Sequence, residues 1–465
     1  MIRAKRSIHP GKAADRDWTQ GNILGNVLKL SWPMVLSNTL IMLGPFLDMI
    51  WVGRLGTAEM AAIASSGIAV GLVVTAVMGL STGSRAMIAR YIGAGDIEGA
   101  KHIARQSLFI ALVFSIGMAG IGFFLASGFL KLLGLSFEVI AVGTPYVRIL
   151  FVGSTAIAFR LMAEAILQAS GDTVTPMWAS FVYIGSRILL SPFLIFGTSM
   201  FPWWIMPGFG IAGAAVAMTI AYSSAMIIML WALFTGRSRL RVTLKGFHID
   251  LSAIWRIVKI GFPALVSSMQ QNLYQLVLVR FMAPFGTVAV AAHGMLQRVE
   301  GLIIMPSMAV GMGSGVLVGQ NLGARQSERA GKTVWLAFMM LESVIILCSV
   351  AVFLWPEAVV RIFSTEPDMV ETAGSYLKIA AAGFVAIGFW TVFMHSLNGA
   401  GDTTPTMIIS VVSIWLVGLP LAFFLPRIWG VGVYGVRWGI ASGLICNGLI
   451  QTVYFITGRW KKKKI

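Results

Sequence analysis

Apolar runs of about twenty residues or more fill the chain, separated by short polar and basic stretches. Twelve can be delimited, near residues 27–52, 60–84, 104–126, 143–169, 177–199, 210–234, 255–281, 289–319, 333–354, 374–398, 406–428 and 432–457. A stretch of ~20 apolar residues crosses a bilayer core of ~30 Å. Lipid cannot satisfy open backbone groups, so each run predicts a membrane-spanning helix. Pro33, Pro45, Pro192, Pro263 and Pro306 fall inside these runs, where each removes a backbone donor and marks a kink.

Composition sharpens this picture. Hydrophobic residues make up 57% of the 465 residues and charged residues 11%, against about 25% charged in a soluble domain. Mean hydropathy is +0.84. A soluble core of this size could not hide so much apolar surface, and collagen, coiled coil and disorder are excluded as well. Cys348 and Cys446 lie in apolar runs without metal-ligand spacing, and read as inert thiols. No apolar segment interrupts residues 1–26, so no cleavable signal peptide is expected and the first span drives insertion.

The chain also repeats itself at an offset of 230 residues: Pro33 matches Pro263, Gly83-Ser84 matches Gly313-Ser314, Gly93-Ala94 matches Gly323-Ala324, and Tyr146 matches Tyr376. Gly171-Asp172-Thr173 matches Gly401-Asp402-Thr403. After an eight-residue deletion, Gly210 and Gly213 match Gly432 and Gly435. Six spans per unit is an even number, so both halves enter the membrane in the same orientation. The expected fold is an all-α polytopic membrane protein with two pseudo-symmetric six-helix lobes, a parallel repeat about an axis along the membrane normal. Its parts would be an N-terminal arm (1–26), an N-lobe (27–235), a linker (236–254), a C-lobe (255–457) and a basic tail (458–465).

Lys and Arg outnumber Asp and Glu by 35 to 18, a formal charge of +17 that would suggest nucleic acid in a soluble chain. Here the placement decides otherwise. Twenty-three of the 35 fall in the arm, the linker, the tail and the loops after the second and eighth spans; four fall on the other side and eight at membrane depth. The positive-inside rule then puts both termini in the cytoplasm of a multi-pass plasma (inner) membrane protein, with lipid rather than nucleic acid as its surroundings.

The repeated loops, Arg90-Tyr91-Ile92-Gly93-Ala94-Gly95-Asp96 and Gly319-Gln320-Asn321-Leu322-Gly323-Ala324-Arg325, lack the Lys and the preceding strand of a phosphate-binding loop. They read as tight helix exits that need the positive φ of glycine. In the two Gly-Asp-Thr loops, Asp and Thr can cap the following helix. The order and spacing of these motifs, with the opening Trp32-Pro33…Asp48-Met49-Ile50-Trp51-Val52-Gly53-Arg54-Leu55-Gly56, resembles the multidrug and toxic compound extrusion (MATE) family from about residue 25 to 457. The resemblance implies ion-coupled antiport: a central cavity between two lobes opens to each side in turn, and lipophilic, usually cationic compounds leave as H+ or Na+ enters. No cofactor beyond the coupling ion, no metal and no enzyme activity are expected; small lipophilic substrates are, as is a monomer.

Twelve ionisable residues lie at membrane depth: Asp48, Glu164, Glu300, Glu342, Arg85, Arg148, Arg160, Arg187, Arg280, Arg298, Lys378 and Arg437. A charge at a lipid-exposed helix centre costs at least ~2.5 kcal/mol on insertion scales, so these should face the interior or a cavity. Arg85, Arg148 and Lys378, near span ends, should instead snorkel. Asp48 matches the acidic ion-coupling position of the family, and the resemblance implies that its protonation changes the bend at Pro33. Around it the chain departs from its relatives. Glu164 and Arg187 stand where they often carry Asn, and Ser191 replaces an Asp. Arg187 introduces a fixed charge for which Asp48 and Glu164 are the natural partners, although Arg160 and Glu164, four apart, can pair locally. A cation beside Asp48 opposes Na+, which favours H+.

In the other half, Gln271 occupies a position where many relatives are acidic. Gln270, Gln271, Asn272, Tyr274 and Gln275 on the seventh span, His293 and Glu300 on the eighth and His395 on the tenth are candidate substrate-cavity residues, with hydrogen bonding between helices as the competing role. Met (26), Phe (28) and Trp (15) suit a cavity for flat apolar compounds. Embedded basic residues outnumber acidic ones eight to four, which leaves neutral and anionic substrates open. A flippase for lipid-linked saccharides, holding diphosphates with embedded arginines, is the alternative.

Overall fold

The computed structural model describes residues 16–132, 134–197, 208–428, 430–463 and 465, and within them leaves aside the side chains at 45–49, 58, 68 and 69. Asp48 therefore lies on a described helix, with its side chain outside the described residues. Among the described residues the fold is all-helical, and twelve helical segments are long and apolar enough to cross a membrane. In the first half they are α1 (Ile23–Val52), α2 (Thr57–Gly93), α3 (Ile97–Leu132), the pair α4 (Phe137–Val152) and α5 (Ser154–Ser170), α6 (Val174–Phe196) and α7 (Gly210–Thr235). The second half has α8 (Leu251–Met282), α9 (Thr287–Gly323), α10 (Ser327–Leu354), the short α11 (Pro356–Arg361) and α12 (Pro367–Gly399). Its eleventh span is α13 (Thr403–Val411), a π-helical stretch over Val412–Gly418, and α14 (Leu419–Ile428); α15 (Val433–Ile456) is the last.

The boundaries differ from the sequence reading where helices leave the bilayer. α2 and α9 are each 37 residues long, about 55 Å at 1.5 Å per residue, and must project well beyond a ~30 Å hydrocarbon core. Large apolar side chains such as Phe124, Leu347 and Leu416 stand exposed on the outer surface, as lipid contact requires.

The two largest hydrophobic cores among the described residues follow the two halves, with an exchange at the face that carries the termini. Val27 and Leu30 of α1 pack into the core of the second half. Their repeat equivalents Ile257 and Ile260 of α8 pack into the core of the first. Glycines make the crossing possible. A Cβ at Gly83 would strike the backbone of α8 at Ile257, and one at Gly313 would strike Ser31 of α1. One turn or more further on, a Cβ at Gly93 would strike the Gln320 carbonyl, and one at Gly323 the Arg90 carbonyl. The Gly93–Gln320 and Gly323–Arg90 contacts are related by the same offset of 230, as are Gly83–Gly261 and Gly313–Ser31, so the contact is self-complementary, like the isologous interface of a two-fold dimer.

Gly93 and Gly323 thus serve close approach, while the positive φ expected of each helix exit falls two residues later, on a glycine in the first loop and on an arginine in the second. That conformation belongs to Gly95 (φ 78°) and to Arg325 (φ 60°). The Gly-Asp-Thr loops also differ from each other. Gly171 and Gly401 are both left-handed (φ 92° and 79°). Asp172 accepts from the Thr175 amide at 3.0 Å, whereas Asp402 accepts from Tyr454 at 2.6 Å and pairs with Lys463 at 3.1 Å.

The basic tail is more than a topological anchor. Trp460 is buried against Phe455 with ring centroids 4.9 Å apart. Arg90 of α2 donates to the Lys463 carbonyl at 2.7 Å, and Lys461 pairs with Glu328 of α10 at 2.9 Å. The tail therefore spans both halves on the terminal face.

Asp250 ends the linker and caps α8, accepting from the amides of Ser252 (2.9 Å) and Ala253 (3.0 Å) and facing His102 at 3.0 Å. The Ala253 amide, followed by His102 and Ser252, holds its carboxyl well below the usual carboxylate range. A depressed carboxylate contributes its stability above its unfolded pKa of about 3.9 and loses it only as pH falls through the lower folded value. Limited proteolysis should therefore find the linker equally protected from pH 7 down to about 4, and Asp250→Ala should expose it at pH 7. Gly323→Leu should wedge the terminal face apart; distances between spin labels at Lys101 and Arg329 should lengthen relative to the unsubstituted protein.

Candidate functional site

A cavity of about 1140 Å³ lies between the two halves. α1, α2 and α5 wall it on one side and α8, α9 and α12 on the other. It reaches the face opposite the termini at Phe363 and Ser364, in the connection between α11 and α12. Toward the terminal face its floor is formed by Arg85, His395 and Asn398, beneath which the glycine contacts close the two halves together. Eight methionines line it: Met42, Met78, Met295, Met305, Met308, Met312, Met369 and Met394. Unbranched thioethers adapt to different apolar shapes, so these walls suit a varied set of guests.

Glu164 is on the cavity wall. It pairs with Arg160, one turn earlier on α5, at 2.9 Å, and its second oxygen accepts from Gln168 at 3.0 Å. The local pairing therefore prevails over a bridge to Arg187. No hydrogen bond or ion pair joins Glu164 to Arg187 among the described residues, because Arg187 is turned toward α1. Its guanidinium is buried, donates to the Tyr183 hydroxyl, and lies so close to Gly44 that a Cβ there would come within 3.2 Å of its Cζ. Gly44 is one helical turn before Asp48. Ser191 is buried on the same helix as Arg187, α6. Pro33 lies inside α1, which runs unbroken from Ile23 to Val52.

Of the eight candidate substrate-cavity residues, His395 is the one found on the cavity wall. The part of α8 facing the cavity is Ala264, Ser267 and Ser268, so the amide-rich turn that follows serves other contacts. Gln270 accepts from the Trp415 indole at 2.9 Å. Gln271 is half-buried away from that wall, and Asn272 donates to Thr75 at 3.2 Å. Tyr274 is buried against Gly418. Glu300 and His293 instead join Arg437 of α15, which donates to them at 2.5 Å and 3.0 Å. Gln297 stands 3.3 Å from His293 and donates to Gln275 at 2.6 Å. This is a helix-tying network inside the second half, the competing role recognised above.

The sequence reading missed Arg85. Placed at a span end, it was expected to snorkel along with Arg148 and Lys378, which are both exposed. α2 continues eight residues beyond it to Gly93, and Arg85 faces the cavity floor. Glu342 is a second surprise. Buried on α10 against Gly388, it has both carboxyl oxygens without a hydrogen-bond partner.

Removing one member of a buried ion pair leaves the other uncompensated, at a cost of about 3–5 kcal/mol, whereas replacing both with apolar residues is often neutral. Glu300→Gln should therefore lower the melting temperature in detergent markedly. The double variant Glu300→Leu/Arg437→Met should recover most of the loss; an additive double loss would contradict the pairing.

Comparison with known proteins agrees with this architecture. The MatE family model matches twice, over residues 33–193 and 263–424, one match in each half. YpnP of Bacillus subtilis, described as a probable multidrug resistance protein, is 26% identical over 97% of this chain and 98% of its own length. An FAD transporter of Shewanella oneidensis is 25% identical over 92% and 94%. A solved multidrug resistance MATE transporter in an outward-facing conformation superposes with a TM-score of 0.88 at 22% identity, covering 97% of each chain. The repeated halves, the cavity between them and the two family matches lead to one conclusion: the chain belongs to the MatE family of multidrug efflux transporters.

Proposed function

We propose that this transporter is a proton-coupled antiporter that exports lipophilic amphiphiles across the plasma membrane by alternating access, acting as a monomer. The observation that carries the reading is the large cavity walled by both halves, which reaches one face and is closed on the other by paired glycine contacts. Opening those contacts while closing the opposite mouth exposes the same walls to the terminal face. The basic residues on that face support its being cytoplasmic. The state described here then faces outward, with its site available for release of substrate and uptake of the coupling ion.

Coupling is assigned to Asp48. Arg187 lies against α1 at Gly44, one turn before it, and a fixed cation on that stretch of α1 disfavours a metal cation while leaving proton exchange available. Pro33 gives α1 a place to bend. In proteoliposomes, an imposed pH gradient should drive substrate movement by the unsubstituted protein, and Asp48→Asn should reduce that coupled flux at least about ten-fold. Arg187→Asn should admit Na+ as a driving ion. Full pH-driven flux in Asp48→Asn would remove Asp48 from the coupling role.

A further inference from the structure

Resting on the export reading, we infer that the cavity selects amphiphiles with an anionic head group, bound at the floor by Arg85. The charged side chains on the described wall are Arg85, Arg160, Arg298 and Glu164. Arg160 and Glu164 neutralise each other at 2.9 Å, and Gln168 occupies the second carboxylate oxygen. Arg298 is engaged in a contact of its own, which leaves the Arg85 guanidinium as the charge on this wall without a hydrogen-bond partner among the described residues. A cationic guest would meet a wall whose Glu164 is already engaged.

The floor is built to donate. Arg85 makes no hydrogen bond among the described residues, and its Nε is buried without a partner. A guanidinium offers five donors in a planar fork that matches a carboxylate or phosphate. His395, within electrostatic reach of Arg85, has a buried Nε2 without a partner. Asn398 accepts from Thr406 at 3.0 Å through its oxygen, leaving its amide NH2 to donate. Unpartnered buried donors are costly, and an anionic head would satisfy them together.

The methionines that line the cavity above the floor receive the apolar body of such a guest.

The test uses three probes with the same ring: pyrenebutyrate, pyrenebutanol and pyrenebutylamine. Their binding to the full-length protein in dodecyl maltoside is measured against protein-free micelles. We expect the butyrate to bind about ten-fold more tightly than the amine. Arg85→Gln should lower that ratio about ten-fold and Arg85→Lys should retain most of it. A merely structural role for Arg85 would weaken all three probes together and leave the ratio unchanged, which would overturn the assignment, as would a wild-type preference for the amine. A retained preference for the butyrate, with no probe driven by a pH gradient in proteoliposomes, would support the charge assignment and count against the export reading.

Discussion

Where Gly93 meets the Gln320 carbonyl and Gly323 meets that of Arg90, two helix backbones touch with no side chain between them, once in each half of the repeat. Everything else about the present conformation depends on this contact. It closes the terminal face and so puts the cavity on the other. It also lets α1 and α8 cross, so that each begins in the core of the opposite half. Any side chain at these positions would hold the helices apart, and packed interiors have no space to absorb the displacement. In the proposed cycle, opening this face separates these backbone contacts and moves the apolar ends of α1 and α8 that pack across it.

The charges divide in an equally instructive way. Arg437, Glu300 and His293 satisfy one another within the second half, and Arg160, Glu164 and Gln168 do so along a single helix. Such groups are affordable at membrane depth because their fields close on themselves. Arg85 has no comparable partner and faces space that a guest can fill. The contrast separates charges that hold helices together from a charge available for recognition. A count of embedded ions along the sequence cannot make that distinction.

Hydropathy carried most of the fold. Span number, repeat and all-helical class follow from apolar run lengths and a 230-residue offset, both visible without side-chain geometry. What stayed hidden was the direction each helix faces. Membrane helices are apolar nearly all round, so periodicity does not tell cavity from lipid. The polar run of α8 from Gln270 to Gln275 therefore drew attention, while the plainer Ala264, Ser267 and Ser268 face the cavity. Arg85 was misread because the bilayer-length window ended before α2 did. Gly93 and Gly323 were recognised as paired, but the reason for the pairing, a close approach between halves, required three dimensions. The pairing of Glu164 with Arg160 was legible, since four residues on one helix fix their proximity.

The central claim is that one set of cavity walls is reached from one face at a time. Its most direct test places a single cysteine at Ser268, on the wall of α8, in a background with Cys348 and Cys446 replaced by Ser. A membrane-impermeant maleimide is then applied to either side of oriented vesicles. The account predicts rapid labelling from the face opposite the termini and little from the terminal face, with the preference reversing when a pH gradient and substrate drive the alternate state. Equal labelling from both faces under all conditions would describe a channel and contradict it.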